Sequence, residues 1–269
     1  PLVARLLTGP RPDVVVSEPT PTTGAAVRIA CAVRRVPYVY YCADIVSDAA
    51  ALAGVPSIVV RTVAGLESFA LCGARRVIAV SDGVARRARD LGARDVVVVP
   101  NGVRVPDAVA TGAPEGFPTC DGPVFVYAGT VAQWLAPEVF VDAFERARAR
   151  LGDARLVFVG QGSGWEALAE RSRGVAGVDM IPAVSAEEAD RWMARATATL
   201  ASLRPGGYDY AYPTKILASL AQGTPVIYAG PGQAARDVAE GGLGVAFGLD
   251  VDEIAEAMVA LASGSAPCA

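Results

Sequence analysis

The sequence contains no histidine among its 269 residues. This absence excludes a Ser-His-Asp triad, a Cys-His pair, an imidazole metal site and a histidine general base built from this chain. Cysteine is scarce as well: the five cysteines are an odd number and form no Cys-x-x-Cys pair. A disulfide framework and a thiolate zinc site are therefore disfavoured, no metal site is predicted, and a reducing, cytoplasmic compartment fits best.

A strong charge of one sign is also lacking, since 24 basic and 28 acidic residues leave a formal net charge of -4. This balance offers no long-range attraction for a polyanion, so a nucleic-acid partner is disfavoured. Two Arg-rich segments, 85–89 and 146–150, are interpreted as solvated helix faces. The alternative for these segments is peripheral contact with the inner face of a membrane.

Long hydrophobic runs are absent too. The longest uncharged stretch, 216–235, is interrupted by Gly223, Pro225 and the Gly230-Pro231-Gly232 turn. It therefore predicts a buried helix followed by a strand rather than a membrane span. Because 52% of the residues are hydrophobic, the chain can bury a sizeable core as one large or two medium domains.

Short Val- and Ile-rich runs alternate with longer Ala- and Arg-rich stretches of helical period. This alternation is typical of parallel strands with crossover helices, so the predicted class is α/β. Strands are predicted at 13–17, 37–42, 76–80, 95–99, 124–128, 155–159, 178–181, 198–202, 226–228 and 245–247. The clearest helices are predicted at 24–34, 57–72, 82–91, 137–151, 165–173, 186–195 and 215–222.

The stretch 101–122 is rich in Gly and Pro and keeps no hydrophobic periodicity. We therefore place a linker at 111–122, between a first Rossmann-like domain at 1–110 and a second at 123–269. Two such domains would face each other across a cleft.

Three predicted strands of the second domain end in glycine, at Gly129-Thr130, Gly160-Gln161-Gly162 and Gly230-Pro231-Gly232. Glycine lets backbone amides approach a phosphate closely, and the N-terminus of the following helix adds positive charge. One such turn alone is more often a plain connection between strand and helix. Three in one domain favour a nucleotide site.

The third turn, followed by Gln233-Ala234-Ala235, also fits the loose dinucleotide pattern Gly-x-Gly-x-x-Ala, with Asp250 downstream. An NAD-dependent oxidoreductase is therefore an alternative. Against it, the pattern lies in the last strand-helix unit rather than the first, and Pro231 supplies no amide for a phosphate.

Lys215 is the only lysine among the 24 basic residues. It follows Pro213-Thr214 and opens an apolar helix, where a cation is unfavourable unless an anion lies nearby. We therefore assign Lys215 to a phosphate or a sugar oxygen rather than to the solvent. Asn101, the only asparagine, follows a strand and is as well explained by a plain Asn-Gly turn as by contact with a ligand.

Asp44 ends the strand at 37–42, where the side chains of a parallel sheet reach a ligand cleft. An acceptor contact or a role as a base is one interpretation. A cap on the helix that follows is the other.

Six segments of the sequence together resemble glycosyltransferase family 4. They are Val77-Ile78-Ala79-Val80-Ser81-Asp82-Gly83, Val97-Val98-Val99-Pro100-Asn101-Gly102-Val103, Tyr127-Ala128-Gly129-Thr130, Phe158-Val159-Gly160-Gln161-Gly162, Pro213-Thr214-Lys215-Ile216 and Gly223-Thr224-Pro225-Val226-Ile227. Their order and spacing match over nearly the whole chain. The resemblance implies the two-domain GT-B architecture, with an acceptor-side first domain and a donor-binding second domain.

The resemblance further implies a sugar transferase that retains anomeric configuration, uses a nucleotide-diphosphate sugar as donor substrate and needs no metal or other cofactor. The acceptor would be a glycan, a lipid-linked compound or a small molecule. By this resemblance Gly129 and Thr130 would lie near the donor diphosphate or the reacting sugar, and the motif Pro213-Thr214-Lys215 would bind the same group. Gly160, Gln161, Gly162, Ile181 and Pro182 would line the nucleotide, and Gly230, Gly232 and Gln233 would close the site. Lys215 and Asp44 are the predicted catalytic residues.

The sequence also departs from the family pattern. Tyr210 and Ala218 stand where the family commonly has two glutamates, and Val131-Ala132-Gln133-Trp134 stands where it often has an arginine and a lysine. A catalytically inactive relative that binds a nucleotide sugar is therefore an alternative. The family's opening glycine-rich strand and helix have no counterpart before residue 12, so we expect the first domain to be incomplete.

Overall fold

The computed structural model describes residues 2–18 and 20–264. It divides into two compact units, the first comprising Pro1–Asn101 with Gly206–Ala211, and the second comprising Gly102–Pro205 with Tyr212–Ala269. Strands and helices alternate throughout, and every strand predicted from the sequence is present within a few residues. The predicted α/β class is confirmed.

The first unit contains a four-stranded parallel sheet in the order β1-β2-β3-β4. Its strands are β1 (Val15–Ser17), β2 (Tyr38–Cys42), β3 (Arg76–Ala79) and β4 (Val96–Val98), and its helices are α1 (Leu2–Thr8), α2 (Pro21–Arg34), α3 (Val46–Leu52), α4 (Ser57–Gly73) and α5 (Asp82–Asp90). Alternate residues of β2 are buried, namely Tyr38, Tyr40 and Cys42. They form one core with side chains of α2, α4 and α5.

The second unit contains a six-stranded parallel sheet in the order β10-β9-β8-β5-β6-β7. Its strands are β5 (Val124–Thr130), β6 (Arg155–Gln161), β7 (Val178–Pro182), β8 (Ala198–Ser202), β9 (Val226–Ala229) and β10 (Gly244–Phe247). Its helices are α6 (Glu138–Leu151), α7 (Trp165–Ser172), α8 (Ala186–Arg195), α9 (Lys215–Ala221), α10 (Gln233–Glu240) and α11 (Val251–Ala262). The strand order reverses between β5 and β8, which is the topological switch point of a doubly wound sheet.

Aromatic side chains fill the core beneath this switch point. Tyr127 packs against Phe140 of α6 and Phe158 of β6, with ring centroids 6.3 and 5.6 Å apart. All three residues have no exposed surface. The carboxyl end of β5 therefore rests on a rigid layer.

The structure contains elements that the sequence did not predict. The helices α1 and α3 are short, at seven residues each, and they lack a strong periodic signal. No helix or strand lies between Val98 and Val124, a stretch that the structure describes completely. Residues 102–110 cluster with the second unit, and residues 206–211 cluster with the first. Among the helices of the described residues, none has the length and hydrophobicity needed to cross a membrane.

Candidate functional site

Glycines line the carboxyl edge of the second sheet at its switch point. Gly129 of β5 lies beside Gly160 of β6, which in turn lies beside Pro182 of β7. A Cβ atom at Gly160 would lie 1.9 Å from the Gly129 carbonyl oxygen, so no larger residue fits without separating the strands. Gly129 itself has a φ of 126°, a conformation that favours glycine. The predicted site residues of these three strands thus come together.

Lys215 extends over the turn at the end of β5. Its Nζ atom donates to the Tyr127 hydroxyl at 2.5 Å and to the Thr130 carbonyl at 3.4 Å. The same nitrogen lies 3.8 Å from the centroid of the Tyr127 ring. A Cβ placed on Gly129 would lie 3.5 Å from the Lys215 Cε atom. The only lysine of the chain is therefore close to the glycine turn that was assigned to the same site.

Among the described residues, no carboxylate forms an ion pair with the Lys215 amine, since none lies within 4.0 Å of its nitrogen. The residue is half-buried, and desolvation lowers the pKa of the amine from 10.5 to about 7. A basic group with this environment and no counter-ion is suited to receive an anion.

Tyr127 is a residue of this site that the sequence did not single out, and Arg204 is linked to it through Glu138, whose charge acts on the Tyr127 hydroxyl. The Tyr127 hydroxyl donates to the Thr130 carbonyl at 2.9 Å and accepts from Lys215. Arg204, two residues after β8, donates to the Gln133 carbonyl and pairs with Glu138. Tyr127 stands in one of the family segments, but a tyrosine in a buried strand resembles any core residue, and Arg204 is one of many arginines, so the sequence assigned a role to neither.

The remaining predicted residues of the second unit lie at the ends of its strands and helices. Gln161 and Gln233 are exposed, and in the described residues their side-chain amides make no hydrogen bond. Ile181 and Pro182 end β7, while Pro213 and Thr214 directly precede α9. Gly230 and Gly232 stand between β9 and α10.

A second group of polar residues lies in the first unit, around Asp44. The Asp44 carboxylate accepts a hydrogen bond from the buried Tyr208, and Tyr41 donates to Asn101 at 3.0 Å. Desolvation raises the pKa of the Asp44 carboxyl, against the opposing effect of the Tyr208 hydrogen bond, although the residue as a whole is exposed. A raised pKa is compatible with the predicted role as a base.

Asp44 does not cap the helix that follows it. The first amides of α3, those of Val46 and Ser47, donate to the carboxylate of Glu67 at 2.6 and 3.0 Å. The capping alternative for Asp44 is therefore wrong, because Glu67 of α4 already occupies that position.

Tyr210, at the first of the two family glutamate positions, also belongs to the first unit. Its hydroxyl donates to Asp48, which forms a bidentate pair with Arg87 at 2.7 and 2.8 Å. A Cβ on Gly83 would lie 2.2 Å from the Tyr210 Cβ atom, so the ring packs directly on the start of α5. Ala218, at the other glutamate position, lies on α9.

Two family models match the chain. The description "Glycosyl transferases group 1" covers residues 122–263, and "Glycosyl transferase 4-like domain" covers residues 1–102. The chain belongs to the group 1 glycosyltransferases. The predicted family is thereby confirmed, and the alternative of an NAD-dependent oxidoreductase is wrong.

Solved structures resemble this glycosyltransferase over most of its length. HepE of Anabaena, solved with UDP and glucose, is 18% identical with a TM-score of 0.76, covering 100% of this chain and 76% of HepE. Sucrose-phosphate synthase of Thermosynechococcus elongatus is 16% identical with a TM-score of 0.68, covering 93% and 66% of the two chains. A glycosyltransferase from Rickettsia africae is 14% identical with a TM-score of 0.68, covering 97% and 69%. These likenesses confirm the predicted GT-B fold. No curated protein sequence matches the glycosyltransferase.

Proposed function

We propose that this glycosyltransferase moves a sugar from a nucleotide-diphosphate sugar, held by its second unit, to a glycan, lipid-linked or small-molecule acceptor. Transfer would retain the anomeric configuration and use no metal ion. The observation that carries the proposal is the Lys215 amine over the Gly129-Thr130 turn, at the switch point of the sheet, which forms no ion pair within the described residues. HepE, which shares this fold, was solved with UDP-glucose.

Lys215 would act on the leaving group. When the bond between the anomeric carbon and the diphosphate oxygen breaks, the electron pair stays on that oxygen. An ammonium group within hydrogen-bond distance stabilises the developing charge, as do backbone amides at the glycine turn. Gly160, Gln161, Gly162, Ile181 and Pro182 would line the nucleotide, and Gly230, Gly232 and Gln233 would close the site.

Asp44 would act on the acceptor. Its carboxylate would orient the acceptor hydroxyl and accept its proton. The raised pKa of this carboxyl supports such a role, and Tyr208 holds the group by its hydrogen bond. The acceptor itself stays a prediction.

Membrane contact and cytoplasmic location also stay predictions. Arg146 of the second Arg-rich segment pairs with Asp252 at 2.8 Å, and Arg150 pairs with Glu256. Positive charge on this helix face is thus offset by α11, which favours the solvated interpretation over a membrane-docking face.

The test is thermal unfolding with UDP, GDP, ADP, dTDP and NAD, each with EDTA and then with Mg²⁺. We expect one nucleoside diphosphate to raise the unfolding midpoint equally under both conditions, and NAD to have no effect. Dependence on Mg²⁺ would contradict the metal-independent part, and silence from every nucleoside diphosphate would contradict the donor site.

Lys215→Met tests the residue directly. A hydrogen bond to a charged group contributes about 1.5–3 kcal/mol, so we expect affinity for the diphosphate to fall by about 10- to 100-fold while nucleoside binding changes little. Arg173→Ala, which removes an exposed cation of the same unit, is the matched control. Equal losses for diphosphate and nucleoside would count against contact between Lys215 and phosphate.

A further inference from the structure

The Tyr127 hydroxyl lies between the Lys215 amine and the backbone of the 129–130 turn. Its own proton goes to the Thr130 carbonyl at 2.9 Å, so its lone pairs remain for the Lys215 Nζ atom at 2.5 Å. Tyr127 has no exposed surface and is held by Phe140 and Phe158. The Tyr127 hydroxyl, which accepts the hydrogen bond from the Lys215 amine, therefore has a fixed position.

The groups around Lys215 leave its charge uncompensated. Glu138 of α6 interacts electrostatically with the Tyr127 hydroxyl, but its charge is offset by an ion pair with Arg204. Three residues before Lys215, Tyr212 interacts with Asp237 of α10. Lys215 is the first residue of α9, a position where the helix dipole disfavours a cation, and the other residues of this helix are uncharged.

We propose that Tyr127 is a positioning residue that holds the Lys215 amine over the turn, where no carboxylate of the described residues forms an ion pair with it, so that the donor diphosphate binds together with a proton taken from the solvent. This inference rests on the proposed function, since it concerns the same site. Tyr127 touches the amine and acts on the ligand only through it.

The pKa of Lys215 supports this inference, because a value of about 7 leaves much of the amine neutral at neutral pH. An anion within a few ångströms stabilises the ammonium and raises its pKa by about 1–3 units. The bound state then holds more protons than the free state. Diphosphate affinity therefore falls above the pKa of the free amine, by up to about tenfold per pH unit, until the pKa of the complex is reached.

Tyr127→Phe keeps the ring and removes the hydroxyl that accepts from the amine. Loss of a hydrogen bond to the charged form lowers the pKa of Lys215 further. We expect weaker diphosphate binding at neutral pH and recovery of the affinity as the pH is lowered. A purely structural role would weaken binding equally at every pH.

The chain offers a direct assay because Lys215 is its only lysine. Lysine labelled with ¹³C at Cε gives one signal, whose chemical shift reports the protonation of Nζ in an NMR pH titration. UDP-, GDP-, ADP- and dTDP-glucose are the probes, because a diphosphate esterified at both ends does not titrate near neutral pH. Calorimetry in buffers of different ionisation enthalpy counts the protons taken up on binding.

The matched control is Tyr228→Phe. The Tyr228 hydroxyl donates to the Pro231 carbonyl three residues ahead, just as the Tyr127 hydroxyl donates to the Thr130 carbonyl, and its removal does not alter the Lys215 contacts described above. We expect a titration midpoint near pH 7 in the free chain, a lower one in Tyr127→Phe and an unchanged one in Tyr228→Phe. One sugar nucleotide should raise the midpoint by about 1–3 pH units.

The outcomes separate this inference from the proposed function. An ordinary lysine midpoint in the free chain, or binding without proton uptake, would overturn the inference and leave donor binding intact. An unchanged midpoint in Tyr127→Phe would overturn the role of Tyr127. A low midpoint that none of the four sugar nucleotides shifts would instead contradict the proposed function.

Discussion

Glu67 is a buried carboxylate whose removal should be costly. Only 1% of its surface is exposed, and its two oxygens accept from the amides of Val46 at 2.6 Å and Ser47 at 3.0 Å. The residue before α3, Ile45, has no side chain that could cap these amides. Glu67 on α4 therefore holds the start of α3 and, with it, the segment between Asp44 and Asp48.

The magnitude follows from the two bonds. A hydrogen bond to a charged group contributes about 1.5–3 kcal/mol, and Glu67→Ala breaks both and leaves a cavity. Relief of the desolvation of a buried charge offsets part of this loss. We expect Glu67→Ala to lower the free energy of unfolding by about 3–5 kcal/mol, and Glu67→Gln, which keeps one acceptor oxygen, by about 1–2 kcal/mol.

Urea unfolding followed by circular dichroism measures both changes. Glu170→Ala is the control, because Glu170 is exposed and paired with Arg173 on the surface, and such pairs contribute about 0–1 kcal/mol. A cost below about 1 kcal/mol for Glu67→Ala would refute the capping role. Equal costs for the Ala and Gln variants would show that filled volume contributes little and that both carboxylate oxygens are needed.

Two further predictions concern the strand ends and Asp44. Gly160→Ala should lower the free energy of unfolding in urea by about 1–3 kcal/mol and weaken nucleotide binding, because its Cβ would lie 1.9 Å from the Gly129 carbonyl oxygen. The control is Gly65→Ala in α4, where a Cβ would meet nothing within 4 Å, and it should stabilise the protein by about 0.5–1 kcal/mol. Equal effects of the two substitutions would contradict the packing argument. Asp44→Asn should raise the unfolding midpoint at neutral pH. Because the pKa of Asp44 is raised in the folded state, the wild type loses stability as the pH rises from the ordinary aspartate pKa through the pKa of the folded state. The difference between Asp44→Asn and the wild type should therefore vanish in acid. An unfolding midpoint that Asp44→Asn leaves unchanged at pH 7 would refute this prediction.

The α/β class and the family could be predicted from the sequence because both depend on local pattern. A buried parallel strand such as β5 reads as an apolar run, and a crossover helix such as α6 has helical period. Lys215 could be chosen as a candidate site residue because it is the only lysine in a chain whose other basic residues are all arginine. Its position beside Gly129 then follows from the rule that ligands bind at the carboxyl ends of strands.

The partners of these residues depended on the tertiary structure. Tyr127 lies 88 positions from Lys215 in the chain, and Glu67 caps amides about 20 positions away. Tyr208 and Tyr210 belong to the first unit although the flanking sequence builds the second. Hydrogen bonds between side chains distant in sequence leave no periodic trace, because they arise only when packing brings the elements together. The sequence by itself thus determined the sheet, its glycine turns and the single lysine. Only the tertiary structure decided which groups hold that lysine, why no carboxylate of the described residues pairs with it, and how desolvation lowers its pKa.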